Sequence, residues 1–435
     1  MPSVPKYLSE HTLSQFGLLS FALFGWLGVA GSTIGAAILL MLSIIRFSDM
    51  WKKVHRLPLF WVSIVAILFV VLHWIFTDSI DQKTSEYAIR YTKSLVYTWL
   101  FIIIGWHIYH NIDLIRWLIG LPIIGLIIKI MIETDWRHFT LFLNNRQDFG
   151  FSIAGAGLYT ALSIWGLSIV SISIYKKYTG LQRLLALLAT LIGIVVLSES
   201  LLITQARSGW VTIIFGVAFV FFLILIKEKK ISQIQYIKRF ALIIVLMSLS
   251  LTVLLIANHK VLLKRLYDDS GVYSTLLSFD RNKIPYDSSV GVRAHMLIYG
   301  FKRWLEKPVL GWGVGSSRSL LAQDKIINTG DHPHFHNNYL ELLVEQGIVG
   351  FSFYLIAFVL LIHGLFKAYS EGFVPKDIFY YLNGAWVMVL VWSLADSRMV
   401  HVDLRFFLLL LCGISFSFIL TRNEESIRDS SIIET

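Results

Sequence analysis

Residues 12–45 read TLSQFGLLSFALFGWLGVAGSTIGAAILLMLSII, and no charged side chain interrupts them. One helical crossing of a bilayer needs about 20 apolar residues, so this run is too long for a single span. Divided at Ala30-Gly31-Ser32, it predicts two helices in a tight hairpin. In hydrocarbon every backbone N–H and C=O must be satisfied within the chain, which only helices and closed barrels achieve. The run is continuously apolar and lacks the alternation of barrel strands. The reading is therefore a membrane-embedded helical fold.

The rest of the chain extends that reading. Its 435 residues are 56% hydrophobic and 15% charged, against about 25% charged in an ordinary soluble domain. Further apolar runs fall at 58–76, 94–109, 114–132, 151–174, 184–201, 209–226, 240–257, 347–365, 379–395 and 404–420. The sequence thus predicts an all-α polytopic membrane protein with about twelve transmembrane helices. Residues 1–257 hold the first nine and 347–420 the last three. Between them lies a large polar loop, 258–346, and residues 421–435 read as a short, polar, disordered tail.

A net charge of +10 raises the question of nucleic acid. The basic residues gather instead in short loops between spans: Arg46, Lys52, Lys53 and Arg56, then Lys176, Lys177 and Arg183, then Lys227, Lys229, Lys230, Lys238 and Arg239. These are alternate loops, and positive-inside topology accounts for them without a nucleic-acid partner. Both termini are then expected in the cytoplasm and the 258–346 loop on the opposite face. The single cysteine, Cys412, lies in a span, which excludes a disulfide framework and a cysteine-based metal site. The first apolar run is too long for a cleavable signal peptide.

Within the large loop, residues 291–306 (GVRAHMLIYGFKRWLE) place apolar residues at helical spacing beside basic ones, the pattern of an amphipathic helix along a membrane surface. Gly311, Gly313 and Gly315 follow Pro308. They lack the strand and helix context of a phosphate-binding loop, so the expectation is a turn whose backbone approaches a ligand or a neighbouring helix. The loop closes with DHPHFHNNYLELLVEQGIVG, residues 331–350. Titratable groups against a membrane are costly to keep without use, which makes this stretch the candidate site.

His336 can accept a proton from an attacking hydroxyl, because imidazole titrates near neutrality. Asn337 and Asn338 can cap a helix over 339–346 and fix the histidine at its start. A surface histidine at a loop end is the plainer reading. A third rests on spacing: on an extended strand His332, His334 and His336 share a face and could converge on Zn²⁺ with Asp331. Arg207 and Arg293 read simply as arginines snorkelling to the interface. Near a histidine, however, two guanidinium groups make a site for a doubly anionic group. Glu199, Asp396 and Arg398 are further polar groups at that depth, the last two open to reading as an ion pair.

His336-Asn337 followed by Gly347 and Gly350, placed at the end of a large external loop between the ninth and tenth spans, resembles the signature of the bacterial O-antigen ligase and polymerase superfamily. Arg207 and Arg293 fall where the ligases carry two functionally required arginines. The resemblance implies a GT-C-type glycosyltransferase of lipopolysaccharide biosynthesis, with no cofactor and no metal. Its donor would be O-antigen polysaccharide on undecaprenyl pyrophosphate, its acceptor a sugar hydroxyl of lipid A–core, and its active site would face the periplasm from the inner membrane. His336 would take the acceptor proton, Arg207 and Arg293 would hold the leaving pyrophosphate, and direct displacement would invert the anomeric centre. Asp396 resembles an acidic residue of the ligases' last periplasmic loop, and Arg265 a basic residue early in the large loop. Gly347 and Gly350 read as bend and packing positions.

Polymerases of the superfamily often carry an arginine followed at fixed spacing by glycine. At that spacing from Arg207 and Arg293 stand Ala218 and Trp304, which favours a ligase over a polymerase. A transporter is the alternative from another class. Its ionisable residues would lie at mid-membrane, whereas these cluster at one face.

Overall fold

The charge-free run folds back on itself. In the computed structural model, which describes residues 6–76, 82–135, 146–228, 284–285, 289–324 and 334–433, α1 (Lys6–Leu27) and α2 (Val29–Ile45) meet at Gly28. The pair is held close by an absent side chain. A Cβ on Gly35 of α2 would lie 2.6 Å from both the Gly17 carbonyl oxygen and the Phe21 amide nitrogen of α1. Leu18, Phe21 and Leu39 turn inward while Ile34, Leu40, Ile44 and Ile45 remain exposed. Both faces are apolar because one meets protein and the other meets lipid.

The remaining helices follow in order: α3 (Phe47–Val54), α4 (Pro58–Phe76), α5 (Gln82–Thr98), α6 (Phe101–Tyr109), α7 (Ile115–Glu133), α8 (Ile153–Lys177), α9 (Gly180–Thr204) and α10 (Arg207–Lys227). After these come α11 (Ser289–Glu306), α12 (Ser317–Gln323), α13 (Asn338–Ser370), α14 (Lys376–Trp392) and α15 (Val402–Ile433). No strand occurs among the described residues. Among the described residues seven helices are long and apolar enough to cross a membrane, and the bent α2–α3 pair can make an eighth. The chain is a polytopic membrane protein. The twelve spans read from the sequence also include α1, the α5–α6 pair, α14 and 240–257, the last outside the described residues.

Three expectations need correction. The loop after residue 45 contains α3, bent 85° from α2, with Asp49, Lys52 and Lys53 on it. The span at 94–109 is two helices broken at Trp99-Leu100. The polar tail continues α15 as helix to Ile433, because its charges find partners: Lys53 meets Glu424 at 3.0 Å and Arg422 meets Glu371 at 2.7 Å.

Those pairs belong to a charged end of the bundle. Arg46–Glu10 at 2.9 Å, Arg116–Asp377 at 3.2 Å and Lys376–Glu228 at 2.6 Å lie there too. Glu228 is buried, and its carboxylate also accepts from Tyr369 and Tyr380. Arg46 and Lys53, from the first of the basic loops, thus meet α1's first turns and α15's last ones. Between the ends, the core is aromatic. Trp26 stacks on Tyr159 and Phe407, and the indole N–H groups of Trp165 and Trp392 donate to the Tyr381 and Ala154 carbonyls, which satisfies those two buried donors.

Candidate active site

The opposite end is built around a bend. Gly347 has φ 64 and ψ −169 inside α13, a backbone that only glycine adopts without strain. The kink releases backbone groups from the helix ladder, and the segment 307–316 takes them up. Trp312 and Gly313 donate to the carbonyls of Val344 and Glu345, while Ile348 and Val349 donate to those of Pro308 and Val309. A Cβ on Gly347 would stand 2.2 Å from the Val309 oxygen, and one on Gly311 would stand 2.6 Å from the Val344 oxygen. The glycines of both segments serve this backbone-on-backbone contact. Gly350 lies one turn further, where a Cβ would meet Gln346 and Phe69 of α4.

α11 forms where amphipathic spacing predicts it, with two apolar faces. Met296 and Tyr299 pack with Leu320, Phe335, Leu340 and Val344 in a small core separate from the main one. Phe301 and Leu305 stay exposed, as do Val309, Leu310 and Ile348. The helix docks on protein with one face and offers the other to lipid.

Phe335, wholly buried in that small core, anchors the residue that follows it. Its N–H donates to Glu341 Oε2 at 2.8 Å. His336 then takes a left-handed backbone, φ 53, a conformation that costs a residue with a Cβ roughly 1 kcal/mol or more. Asn337 caps α13 by accepting from the Leu340 N–H at 2.9 Å and donates to the Leu394 carbonyl. Asn338 donates through its backbone and its side chain to Ser393 and accepts from the Arg398 N–H. Two consecutive residues are thereby stitched to the loop between α14 and α15.

That stitching brings Asp396 to His336. The carboxylate Oδ1 lies 3.0 Å from His336 Nδ1 and also accepts from the Ser397 N–H at 2.9 Å. Burial, the largest single effect, works against the charge on Asp396, yet the hydrogen bond from His336 and the electrostatic pull of His334, His336 and Arg398 together outweigh it and hold the pKa down to about 2. An ionised Asp396 can only accept, so the His336 proton sits on Nδ1 and Nε2 keeps its lone pair. The His336 side chain is 24% exposed, enough to be reached. The geometry is that of an oriented imidazole base.

His334 packs edge-on against His336, ring centroids 4.4 Å apart. Its Nδ1 accepts from the His336 N–H, and burial lowers its pKa to about 3, so it stays neutral. The ligand atoms of His334, His336 and Asp396 lie within 4.8 Å of one another, a spacing a metal ion would tolerate. Of these, His336 Nδ1 and Asp396 Oδ1 are joined by a hydrogen bond, and His334 Nε2 stands 4.0 Å from the same carboxylate oxygen. His332 and Asp331, the other members of the zinc reading, lie outside the described residues, as does Arg265.

Asp396 and Arg398 do not pair with each other, contrary to the plain reading of that loop. Asp396 serves His336, and Arg398 pairs with Asp403 at 3.1 Å. Arg207 is the first residue of α10. Its neighbours Ala206 and Gly209 lie against Gly157 of α8, whose Gly155 lies beside the Arg398 guanidinium. Arg207 therefore stands at the same end of the bundle as the dyad. Arg293 is half-buried on α11, the helix that docks on the segment carrying His336.

The sequence reading overlooked the Glu341–Glu345 pair. Both side chains are buried, at 1% and 0% exposure, one turn apart on α13, and Glu345 accepts from Ser317 Oγ at 2.8 Å. Their signal was present as two acids in a helix whose neighbours are apolar. Beside the dyad a cavity of about 160 Å³ opens at Asn338, Ser393 and Met399 and descends between apolar walls that include Trp99, Phe358 and Trp386.

Residues 192–355 match the family described as O-antigen ligase, a stretch that takes in Arg207, Arg293, His336, Gly347 and Gly350. No curated protein matches the chain.

Proposed function

With residues 192–355 in the O-antigen ligase superfamily, a family of glycosyltransferase-like membrane enzymes of O-antigen processing, we propose that this chain is an O-antigen ligase. It transfers O-antigen polysaccharide from undecaprenyl pyrophosphate to a sugar hydroxyl of lipid A–core. The observation that carries this reading is His336, held at Nδ1 by Asp396, with its side chain 24% exposed. That arrangement suits one task, the removal of a hydroxyl proton as the oxygen attacks.

The acceptor oxygen bonds to the anomeric carbon of the donor while its proton passes to His336 Nε2. The bond from that carbon to the pyrophosphate oxygen breaks, and the electron pair leaves with the pyrophosphate. Attack opposite the leaving group inverts the anomeric centre. Asp396 stabilises the imidazolium that results, and Arg207 and Arg293 neutralise charge growing on the leaving group. The reaction needs no metal in this scheme. The cavity beside the dyad gives apolar room for a lipid substrate's chain. The fold is of GT-C type, the dyad end faces the periplasm, and the charged end with both termini faces the cytoplasm of the inner membrane, in keeping with the positive-inside rule.

The test is the lipopolysaccharide banding pattern of the native host carrying His336→Ala, together with an assay of lipid-linked polymer. Rough lipopolysaccharide with long chains accumulating on undecaprenyl pyrophosphate is the expected result. Core capped with a single repeat unit and no long chains would make the enzyme a polymerase. An unchanged ladder, with the variant protein present in the membrane, would remove His336 from the chemistry.

A further inference from the structure

A second cavity lies on the other side of the wall formed by α5, α6 and α15, with a volume of about 310 Å³. The cavity beside the dyad meets that wall through Trp99, Phe101, Leu404 and Leu408. This one meets it through Tyr97, Leu100, Phe406 and Leu409, so the two are backed onto each other and do not merge. Thr33, Ala36, Leu40, Tyr97, Ile104 and Arg405 are among the residues that line it. From Thr33 to Leu40 along α2 the groove runs about 10 Å, at about 1.5 Å per residue.

Arg405 is out of keeping with these walls. Its Nη1 donates to Ser94 Oγ at 2.7 Å, and its guanidinium lies over the Tyr97 ring at 5.3 Å. Both contacts come from α5, and both fix its direction without neutralising its charge. No carboxylate of the described residues lies within 4 Å of it, since Asp403, its near neighbour in sequence, is taken by Arg398. A half-buried guanidinium with no carboxylate of the described residues in contact is unfavourable at membrane depth. Its remaining N–H donors suit a phosphate, which accepts from a guanidinium in pairs.

We propose that this groove is a binding site for a phosphorylated lipid, its phosphate on Arg405 and one chain running between α2, α6 and α15 past Ala36 towards Leu40. The site lies at the dyad end of the bundle, because α15 begins at Val402, just after the loop that carries Asp396. The inference stands on the groove and its cation, independently of the ligase reading.

The test uses the full-length chain in neutral detergent, titrated by native mass spectrometry with phosphatidic acid and with diacylglycerol of the same chains. The wild type is expected to bind phosphatidic acid about tenfold more tightly than diacylglycerol. Arg405→Gln is expected to erase that preference and leave diacylglycerol binding unchanged, whereas Arg405→Lys keeps most of it. Ala36→Trp fills the groove and is expected to weaken both lipids. Equal unfolding midpoints for the Gln and Lys variants separate loss of the site from loss of the fold. A wild type without preference, or an Arg405→Gln variant that retains it, would overturn the proposal. So would displacement of phosphatidic acid by an equal concentration of inorganic phosphate, which would make this a site for a free anion.

Discussion

His336 Nδ1 donates to Asp396 Oδ1 at 3.0 Å although 60 residues separate them in the chain. The contact joins the end of the large polar loop to the turn between the last two helices. It decides which nitrogen of the imidazole is basic, so in the proposed reaction Asp396 acts through His336.

Asp396→Asn is expected to slow transfer by about 10–100-fold, because an amide can present either a donor or an acceptor to Nδ1 and no longer fixes the tautomer. His336→Ala should cost about 10²–10⁴-fold, the range of a lost general base. Combining the two should add little to His336→Ala alone. Rates of polysaccharide transfer in reconstituted membranes check this, and additive losses would show that the carboxylate acts elsewhere.

Acid should destabilise the protein through His334. Its folded pKa is about 3, whereas the unfolded side chain takes up a proton near pH 6.5. Between those values the unfolded chain binds the extra proton, so stability is full above the upper value and falls as the pH drops towards the lower one. His334→Gln is expected to flatten that slope. Unfolding midpoints across the window measure it, and parallel curves for the two proteins would disprove the assignment.

Gly347→Ala and Gly372→Ala separate backbone strain from crowding. Both glycines have positive φ, 64 and 87, but a Cβ on Gly372 meets nothing within 4 Å whereas one on Gly347 meets the Val309 oxygen at 2.2 Å. The Gly372 change should cost about 1 kcal/mol, the strain alone. Gly347→Ala should cost clearly more and displace the 307–316 segment as well. Comparing the two unfolding midpoints and membrane yields tests this, and equal effects would contradict it.

Glu341 holds the Phe335 N–H, one residue before His336. Glu341→Gln keeps an acceptor oxygen and should retain most activity. Glu341→Leu leaves that N–H buried without a partner, at a cost of about 1–3 kcal/mol, and should lower the transfer rate while substrate affinity changes little. Rate and affinity measured separately for both variants would show it. Equal losses in the two would mean that the charge, and not the hydrogen bond, is what matters.

Much of this molecule is written locally. The charge-free run 12–45 and its successors required membrane helices whatever their arrangement, because backbone groups in hydrocarbon leave no alternative. The clustering of Arg and Lys in alternate loops fixed which ends lie together, and the ion pairs from Glu10 to Glu424 gather at one end accordingly. Amphipathic spacing marked α11, and the Asn337 cap marked the start of α13. His336 stood out by its place, a titratable group at the start of a helix in an apolar chain.

The tertiary structure alone decided what long-range contact decides. Nothing near Asp396 in the sequence says that it faces His336 and leaves Arg398 to Asp403, because that choice depends on Asn338 binding the α14–α15 loop. The break at Trp99-Leu100 was equally hidden, since lipid makes every face of a span apolar and erases the periodicity that marks neighbours, and the helical tail ending at Ile433 depends on partners distant in the chain, Lys53 and Glu371. The glycines at 311 and 347 show the same division. Their positions could be read, but only the fold shows that they face each other and let one backbone satisfy the other across the bend.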